Sequence, residues 1–280
     1  MTSQPTTEGT IMATPTYRAL QGSAAQRYQE FFVPAIGLPV AAELMRAAAL
    51  QHGDVVLDVA CGTGVIARLA AAAVGADGSV SGVDVAPEML EVAQSVEQAG
   101  SSIDWRQADA ASLPYPDESF DVVTCQMGLM FMEDRAAALS EMRRVTKLGG
   151  RVVVNTPGAI QPPFEQMARA LADHIAREAV GFVRAVFSMD DRAELEAMLE
   201  LAGLDEVETS GYSARLDLPG PAEMLWNYIN LTPMAPIVAG ASAEAKDAME
   251  QQFIDDTAGS LVDGRVAIDQ PMNLAISRHR

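Results

Sequence analysis

The sequence predicts an α/β protein built on a doubly wound, largely parallel sheet. Three observations carry this. Short apolar, β-rich runs alternate with helical patterns from residue 54 onward; a glycine pair, Gly62 and Gly64, sits where the first run passes into a helix; and acidic residues close successive runs.

Residues 1–16, MTSQPTTEGTIMATPT, are rich in Thr, Pro and Ser and read as a mobile tail, and residues 17–280 read as a single domain. An N-terminal helical region over 22–51 holds helices at 24–32 and 39–50, divided at Val33-Pro34 and Gly37 because proline disfavours helix at the residue before it. The run 55–59, VVLDV, is nearly continuously apolar, as expected of a strand buried on both faces. Ile66, Leu69, Ala70 and Ala73 then recur at helical spacing. A strand over 79–85 leads through Pro87 into a helix over 88–98, proline being well placed at a first helical position. A strand over 102–106, the loop SLPYPDES, the strand FDVVTCQ and a helix over 133–147 follow, and Gly149-Gly150 turns the chain into RVVVN. These five strands and four helices make 52–156 the core of the sheet.

Beyond Asn155 the pattern is less regular. Helices are expected over 162–179 and 191–202, the second with Leu195, Met198, Leu199 and Ala202 on one face and Gly203 as its stop. Strands are expected over 206–216 and 267–277, with helices over 222–231 and 243–256 between them. Insertions over 157–190 and 217–265 therefore read as a helical cap, the second of them placed near the C-terminus.

Composition narrows the function. A chain of 280 residues with 49% hydrophobic content fills a sizeable core, and a net charge of -19 repels nucleic-acid backbones and anionic lipid surfaces. The densest basic group, Arg143, Arg144, Lys147 and Arg151, reads as the complement of a helix dipole whose first turn carries Glu133 and Asp134. No secretory apolar region is seen, and no apolar run near the ~20 residues of a membrane span. Cys61 and Cys125 lack metal-ligand spacing and are too few for a disulfide framework, so a soluble cytoplasmic protein with two reduced thiols and no metal is expected.

The stretch VVLDVACGTGVIARLA bears on the ligand. Gly62, Gly64 and Ala67 satisfy the GxGxxG/A spelling of a dinucleotide turn, and Asp84 follows at about the twenty-residue distance that motif expects. A dinucleotide, however, brings an anionic pyrophosphate to the helix N-terminus, and Asp58 just ahead of the glycines adds negative charge there. A cationic ligand fits better. S-adenosylmethionine carries an α-ammonium and a sulfonium and no phosphate, so a carboxylate and a close backbone approach suit its aminoacyl end. Asp84 can accept from both ribose hydroxyls, and Asp109 from the adenine amino group. Each acid also has a plainer reading, Asp58 or Asp84 as a helix cap and Asp109 as a turn former. Their joint placement at the carboxyl ends of three successive strands favours the ligand.

Four motifs in order, VLDVACGTG, GVDVAPEML, QADAASLPYPDESFDVVTCQMGLMFMED and EMRRVTKLGGRVVV, resemble the class I S-adenosylmethionine-dependent methyltransferases. The likeness covers about residues 28–155 and is greatest to the ubiquinone/menaquinone-biosynthesis branch. It implies a Rossmann-like seven-stranded sheet whose last strand runs antiparallel. It also implies that Ala60, Gly62 and Gly64 line the aminoacyl end of the cofactor, with Thr63 and Val85 in the same site, and that Asp84 holds the ribose. Met89 would pack near the adenine, Asp109 with Ala110 would read its edge, and Gln126 would sit near the methyl donor. Tyr28, in RYQEFFVPAIG, is a candidate lid, whereas Phe31 and Phe32 read as packing residues. Leu148 stands where the family commonly has proline before Gly149-Gly150, which puts local rigidity in question.

Methionines and aromatics follow the fourth strand and populate the cap, where they serve either as core or as walls of an adaptable apolar pocket. Met127, Met130, Phe131, Trp226 and Tyr228 are the candidate pocket walls. His174 is a candidate general base, with a helix-surface or interior histidine as the plainer reading. The expected activity is methyl transfer from S-adenosylmethionine to an O, N or C nucleophile of a small or medium-sized, largely apolar metabolite, leaving S-adenosylhomocysteine. Two alternatives stay open: a non-catalytic S-adenosylmethionine-binding partner protein, and an NAD(P)-dependent oxidoreductase, which Asp58 and the lack of a Tyr-x-x-x-Lys pair disfavour.

Overall fold

A computed structural model describes residues 24–97 and 102–280. The expected tail over 1–16 lies outside these residues, as does Gln98 at the end of an expected helix. Strands and helices alternate as β1 (Val55–Val59), α3 (Val65–Val74), β2 (Ser79–Asp84), α4 (Pro87–Ser95), β3 (Ile103–Gln107), β4 (Phe120–Gln126), α5 (Arg135–Val145) and β5 (Thr146–Pro157), after two N-terminal helices, α1 (Ala24–Arg27) and α2 (Leu38–Ala48). The sheet order is β3-β2-β1-β4-β5, all parallel, continued by β8 (Arg265–Arg278) and β6 (Asp205–Leu218). β8 runs antiparallel to both neighbours, so the last strand of the seven in this path is the antiparallel one, as expected. An eighth strand, the two-residue β7 (Leu261–Val262), folds back on the start of β8 and has no signal in the sequence pattern.

The apolar runs are buried on both faces, as a central parallel sheet requires. One face carries α2 and α3 through Leu44, Ile66, Ala67 and Ala70. The other carries α5 and α8 (Arg192–Leu201) through Leu139, Met142, Leu195 and Leu199. A third cluster joins α6 (Pro162–His174), α7 (Val180–Val186), α9 (Pro221–Asn230) and α11 (Ala243–Thr257) to β6 and β8 through Phe164, Phe182, Leu225, Phe253 and Leu216. The short α10 (Ala235–Ala239) connects α9 to α11.

Several expected boundaries move, each for a local reason. The chain does not break at Val33-Pro34 and Gly37: residues Tyr28–Gly37 form a π-helix that runs from α1 into α2, with the Leu38 N–H donating to the Val33 carbonyl five residues back. The wider turn accommodates the proline ring and its missing donor. The resulting helix, Ala24–Ala48, is 25 residues long and by length and composition apolar enough to cross a membrane, which dividing it at Pro34 concealed. Here its apolar side packs on β5, α3 and β6. The helix expected over 162–179 stops at His174, because Ala176 is extended at φ -167° and ψ 149°. The basic group gathers only in part at one helix end: Arg143 and Arg144 lie in the last turn of α5, whose N-cap is Asp134, as expected, and the other two lie beyond it. Lys147 and Arg151 lie on β5, and Arg144 pairs with Glu141 and Asp117, Lys147 with Asp121, and Arg151 with Asp54. Gly149, at φ +79°, sits in a register shift between β4 and β5 that leaves Leu148 62% exposed, so the leucine at the family's proline position faces solvent.

Asp58 on β1 clamps the turn into α3. It is 1% exposed, its Oδ2 accepts from the Ala67 N–H in the first turn of α3 at 3.1 Å, and its Oδ1 accepts from the Thr124 hydroxyl on β4 at 3.0 Å. Burial pushes its pKa from 3.8 up to about 7, with the two hydrogen bonds opposing the rise. Between those values the folded state holds a proton that the unfolded chain releases, so stability falls as pH rises from 3.8 to about 7. A carboxyl-carbon NMR titration is expected to place the Asp58 midpoint near 7, and Asp58→Asn to flatten part of the pH dependence of unfolding. A midpoint in the ordinary carboxylate range, about 4, would contradict this.

Candidate active site

The strand order reverses between β1 and β4, and ligands of open α/β sheets bind at the carboxyl ends beside such a reversal. A cleft of about 780 Å³ opens there. Val59, Ala60 and Gly62 come to it from the end of β1, Val83, Asp84 and Val85 from the end of β2, and Ala108, Asp109 and Ala110 from beyond β3. Gln126, Met127, Gly128, Phe131 and Met132 close the β4 side, Met89 reaches in from α4, and Tyr28 from the π-helix.

Asp84 organises one wall. It is the last residue of β2, and its Oδ2 accepts from the Gly62 N–H at 2.8 Å while its Oδ1 accepts from the Ala86 N–H at 2.9 Å. Burial raises its pKa against the pull of those backbone donors. A carboxylate has about four lone-pair sites, so acceptor capacity remains beyond the backbone donors, of which the Val85 N–H is a third. Gly62, at φ +55°, would place a Cβ 3.7 Å from the Tyr28 ring, and a glycine there keeps the slot between loop and ring open. Tyr28 stacks on Phe32 with ring centroids 4.4 Å apart. Burial, and next the Asp84 carboxylate, hold its phenol well above the usual tyrosine range, so it stays protonated. Asp109 lines the cleft and also accepts from the Ala111 N–H at 3.0 Å, so its turn-forming role is present as well. Gln126 donates through Nε2 to the Gly37 carbonyl at 3.1 Å, and its Oε1 is buried without a protein partner.

Of the sequence-predicted cofactor residues, Tyr28, Ala60, Gly62, Asp84, Val85, Met89, Asp109, Ala110 and Gln126 come together around the cleft. Asp58, Thr63 and Gly64 do not line it. Asp58 is taken up by the clamp to α3, so the helix-capping reading describes it. Thr63 is 1% exposed, its hydroxyl has no partner and its carbonyl accepts from Arg68. Gly64, at φ +83°, caps α3, and a Cβ there would fall 2.3 Å from the Trp105 ring, so it serves packing rather than the cleft.

Four wall residues lie outside the sequence-predicted set, Val59, Val83, Ala108 and Gly128, while Met132 is one of the methionines after the fourth strand weighed as core or pocket wall. The first three had a readable signal, since each immediately precedes a singled-out residue at a strand end. Gly128 did not. It is demanded by a close approach that only folding creates, for a Cβ there would lie 2.6 Å from that of Ala60.

A second, apolar pocket shares Met127 with the cleft and is lined by Phe32, Ile36, Val40, Phe164, Tyr228 and Met272 among others. Met127 is held at φ +49°, its N–H donating to Asn155 through both the carbonyl at 3.1 Å and Oδ1 at 3.0 Å. Asn155 in turn donates to the Tyr212 hydroxyl at 2.9 Å, which donates to the Val40 carbonyl at 2.8 Å. This buried chain fixes the boundary between the two spaces. Met127, Phe131 and Tyr228 thus stand where pocket walls are expected, whereas Met130 and Trp226 do not. Met130 is 3% exposed in the core under α5, and the Trp226 indole N–H donates to Glu250 between α9 and α11. His174 lines neither space; its Nε2 lies 2.7 Å from Gln252 Oε1, joining α6 to α11, so the plainer reading describes it too.

The electrostatics of the cleft are one-sided. Its lining holds two carboxylates and no lysine, arginine or histidine, which suits a cation and supplies no positive side chain to a pyrophosphate. Among the described residues, no group of three His, Cys, Asp or Glu side chains is placed to hold a metal ion.

Comparison with known proteins agrees with this geometry. Residues 57–154 match the family model of a methyltransferase domain. A demethylmenaquinone methyltransferase of Staphylococcus carnosus is 32% identical over 182 residues, 61% of this chain and 76% of that protein. A ubiquinone/menaquinone biosynthesis C-methyltransferase, UbiE, of Burkholderia cenocepacia is 35% identical over 171 residues, 57% of this chain and 70% of that protein. Among solved structures, the YcgJ protein of Bacillus subtilis superposes with a TM-score of 0.59 at 20% identity, covering 87% of this chain and 99% of that one. A phosphoethanolamine N-methyltransferase 2 of Haemonchus contortus, solved with S-adenosyl-L-methionine, gives a TM-score of 0.56 at 18% identity, covering 91% of this chain and 56% of that one, and shows the shared fold. With its sheet order, its acid-lined cleft and these relatives, the chain belongs to the class I S-adenosylmethionine-dependent methyltransferases, enzymes that use S-adenosylmethionine as methyl donor.

Proposed function

We propose that this methyltransferase acts on an O, N or C nucleophile of a small or medium-sized, largely apolar metabolite. The observation that carries this is the apolar cavity that meets the cleft at Met127. Its lining includes no charged side chain, and a charged group moved there without a partner would be strongly disfavoured. The names of the curated relatives, which refer to demethylmenaquinone and to ubiquinone/menaquinone biosynthesis, support a metabolite rather than a macromolecule as acceptor.

The cleft fits the methyl donor on features of its own. In this reading Asp84 would accept from the ribose hydroxyls, Gln126 Oε1, buried with no protein partner, would accept from the ammonium, and Met89, Asp109 and Ala110, all in the cleft wall, would border the adenine. S-adenosylmethionine supplies a methyl group on positively charged sulfur, which an acceptor nucleophile attacks in line. The protein's part is to align, desolvate and cover: the Asp84 clamp sets the loop, the protonated Tyr28 walls the slot, and Met127 forms the junction. In this reading residues 17–280 act as one domain, with the insertions over 157–190 and 217–265 forming the acceptor's roof. The two buried free thiols, Cys61 and Cys125, are in keeping with a reducing, cytoplasmic setting.

Transfer of labelled methyl from S-adenosylmethionine into a cell metabolite extract tests the reading, with mass identification of the product. Label is expected in apolar small molecules; label confined to protein, nucleic acid or strongly charged metabolites would overturn it. Asp84→Ala removes charge-assisted hydrogen bonds and is expected to weaken S-adenosylhomocysteine binding by roughly 10²-fold, read by calorimetry on protein whose folding is checked by circular dichroism. His174→Ala is expected to leave the rate within about two-fold, since a working general base contributes at least ~10²-fold; a loss of that size would restore the histidine to the mechanism.

A further inference from the structure

Gln270 is the one amide side chain in the wall of the acceptor cavity, on β8 and 3% exposed. Its Nε2 donates to the Pro271 carbonyl at 2.7 Å and to the Ala159 carbonyl at 3.4 Å. Those two carbonyls settle which end of the amide is which, because the reversed group would set Oε1 against two acceptors. Oε1 is therefore the end left over, and it is buried with no protein partner. Buried acceptors in native proteins are seldom left bare, and a small-molecule pocket uses a few such groups to orient what it holds.

We propose that the acceptor carries an uncharged hydrogen-bond donor, a hydroxyl or an N–H, on its apolar body and buries that donor against Gln270 Oε1. This rests on the acceptor reading above and specifies its chemistry. The surrounding Phe32, Ile36, Phe164, Leu216 and Met272 offer Oε1 no donor, and no hydrogen bond joins it to the Tyr228 phenol in the same wall, so a ligand donor would complete it. A cationic donor is excluded by the same walls, which hold no counter-charge. Tyr228 is the other polar side chain that lines this cavity; burial keeps its phenol protonated, which makes it the alternative polar partner for a ligand. Gln270 pairs through its backbone with Ala214 on β6, so a changed side chain leaves the strand ladder in place.

Indole and benzofuran test this, because they share a shape and differ in an N–H against an ether oxygen. S-adenosylhomocysteine binding to the full chain is measured first; its failure would count against the donor-site reading and not against this one. Each probe is then titrated into the S-adenosylhomocysteine-loaded protein and its affinity read by ligand-observed NMR. Indole is expected to bind on the order of 10-fold more tightly, and Gln270→Leu to reduce that preference to less than about two-fold without changing S-adenosylhomocysteine affinity. Equal affinities in the unaltered protein, or binding of neither probe, would overturn the proposal without any substitution. A preference that survives Gln270→Leu and disappears in Tyr228→Phe would assign the donor to Tyr228 and overturn it as well.

Discussion

The site depends on one carboxylate that bridges two backbone donors. Asp84 ends β2 and accepts from Gly62 in the turn after β1 and from Ala86 before α4, so one side chain ties two strand ends and a helix start together. Loss of that bridge would release Gly62 from the conformation that keeps the slot beside Tyr28 open. The same turn is held from below by Asp58, which ties Ala67 to Thr124. Two acids on neighbouring strands therefore divide the work: Asp84 lies at the cleft wall with acceptor sites to spare, and Asp58 is sealed beneath the turn.

The π-helix places the apolar cavity against the cleft. Tyr28 at its start lines the cleft, while Phe32 and Ile36 further along, and Val40 in α2, line the apolar cavity. An uninterrupted helical path thus supplies walls to both. Across from it, Asn155 fixes Met127 and reaches through Tyr212 to the Val40 carbonyl, so the helix and the end of β4 are registered by buried hydrogen bonds. Unpaired members of such a network would be costly, which favours one arrangement of the junction over many.

Much of this was legible in the sequence where a local pattern dictates local structure. VVLDV and FDVVTCQ read as buried strands, Asp191 and Gly203 bracket α8, and two of the three strand-end acids, Asp84 and Asp109, meet at one cleft. The parts that were not legible depend on contacts distant in the chain. Nothing in the spelling of Asp58 and Asp84 tells that one is used up by Thr124 from a strand 66 residues away while the other keeps acceptor sites at the cleft. The spelling of Gly62 and Gly64 likewise hides that one faces Tyr28 and the other Trp105. His174 and Trp226 looked chemical because of their residue types, and both are occupied by α11. Proline at position 34 misled because its effect on an α-helix does not carry over to a π-turn.

The position of S-adenosylhomocysteine in crystals of this chain is the most direct measurement. The expected result is a ribose whose hydroxyls lie within about 2.5–3.0 Å of the Asp84 oxygens while the Gly62 N–H stays bonded to the same carboxylate. A ribose held elsewhere, or an Asp84 that gives up Gly62 when the ligand enters, would contradict the bridge as the element on which the site is built.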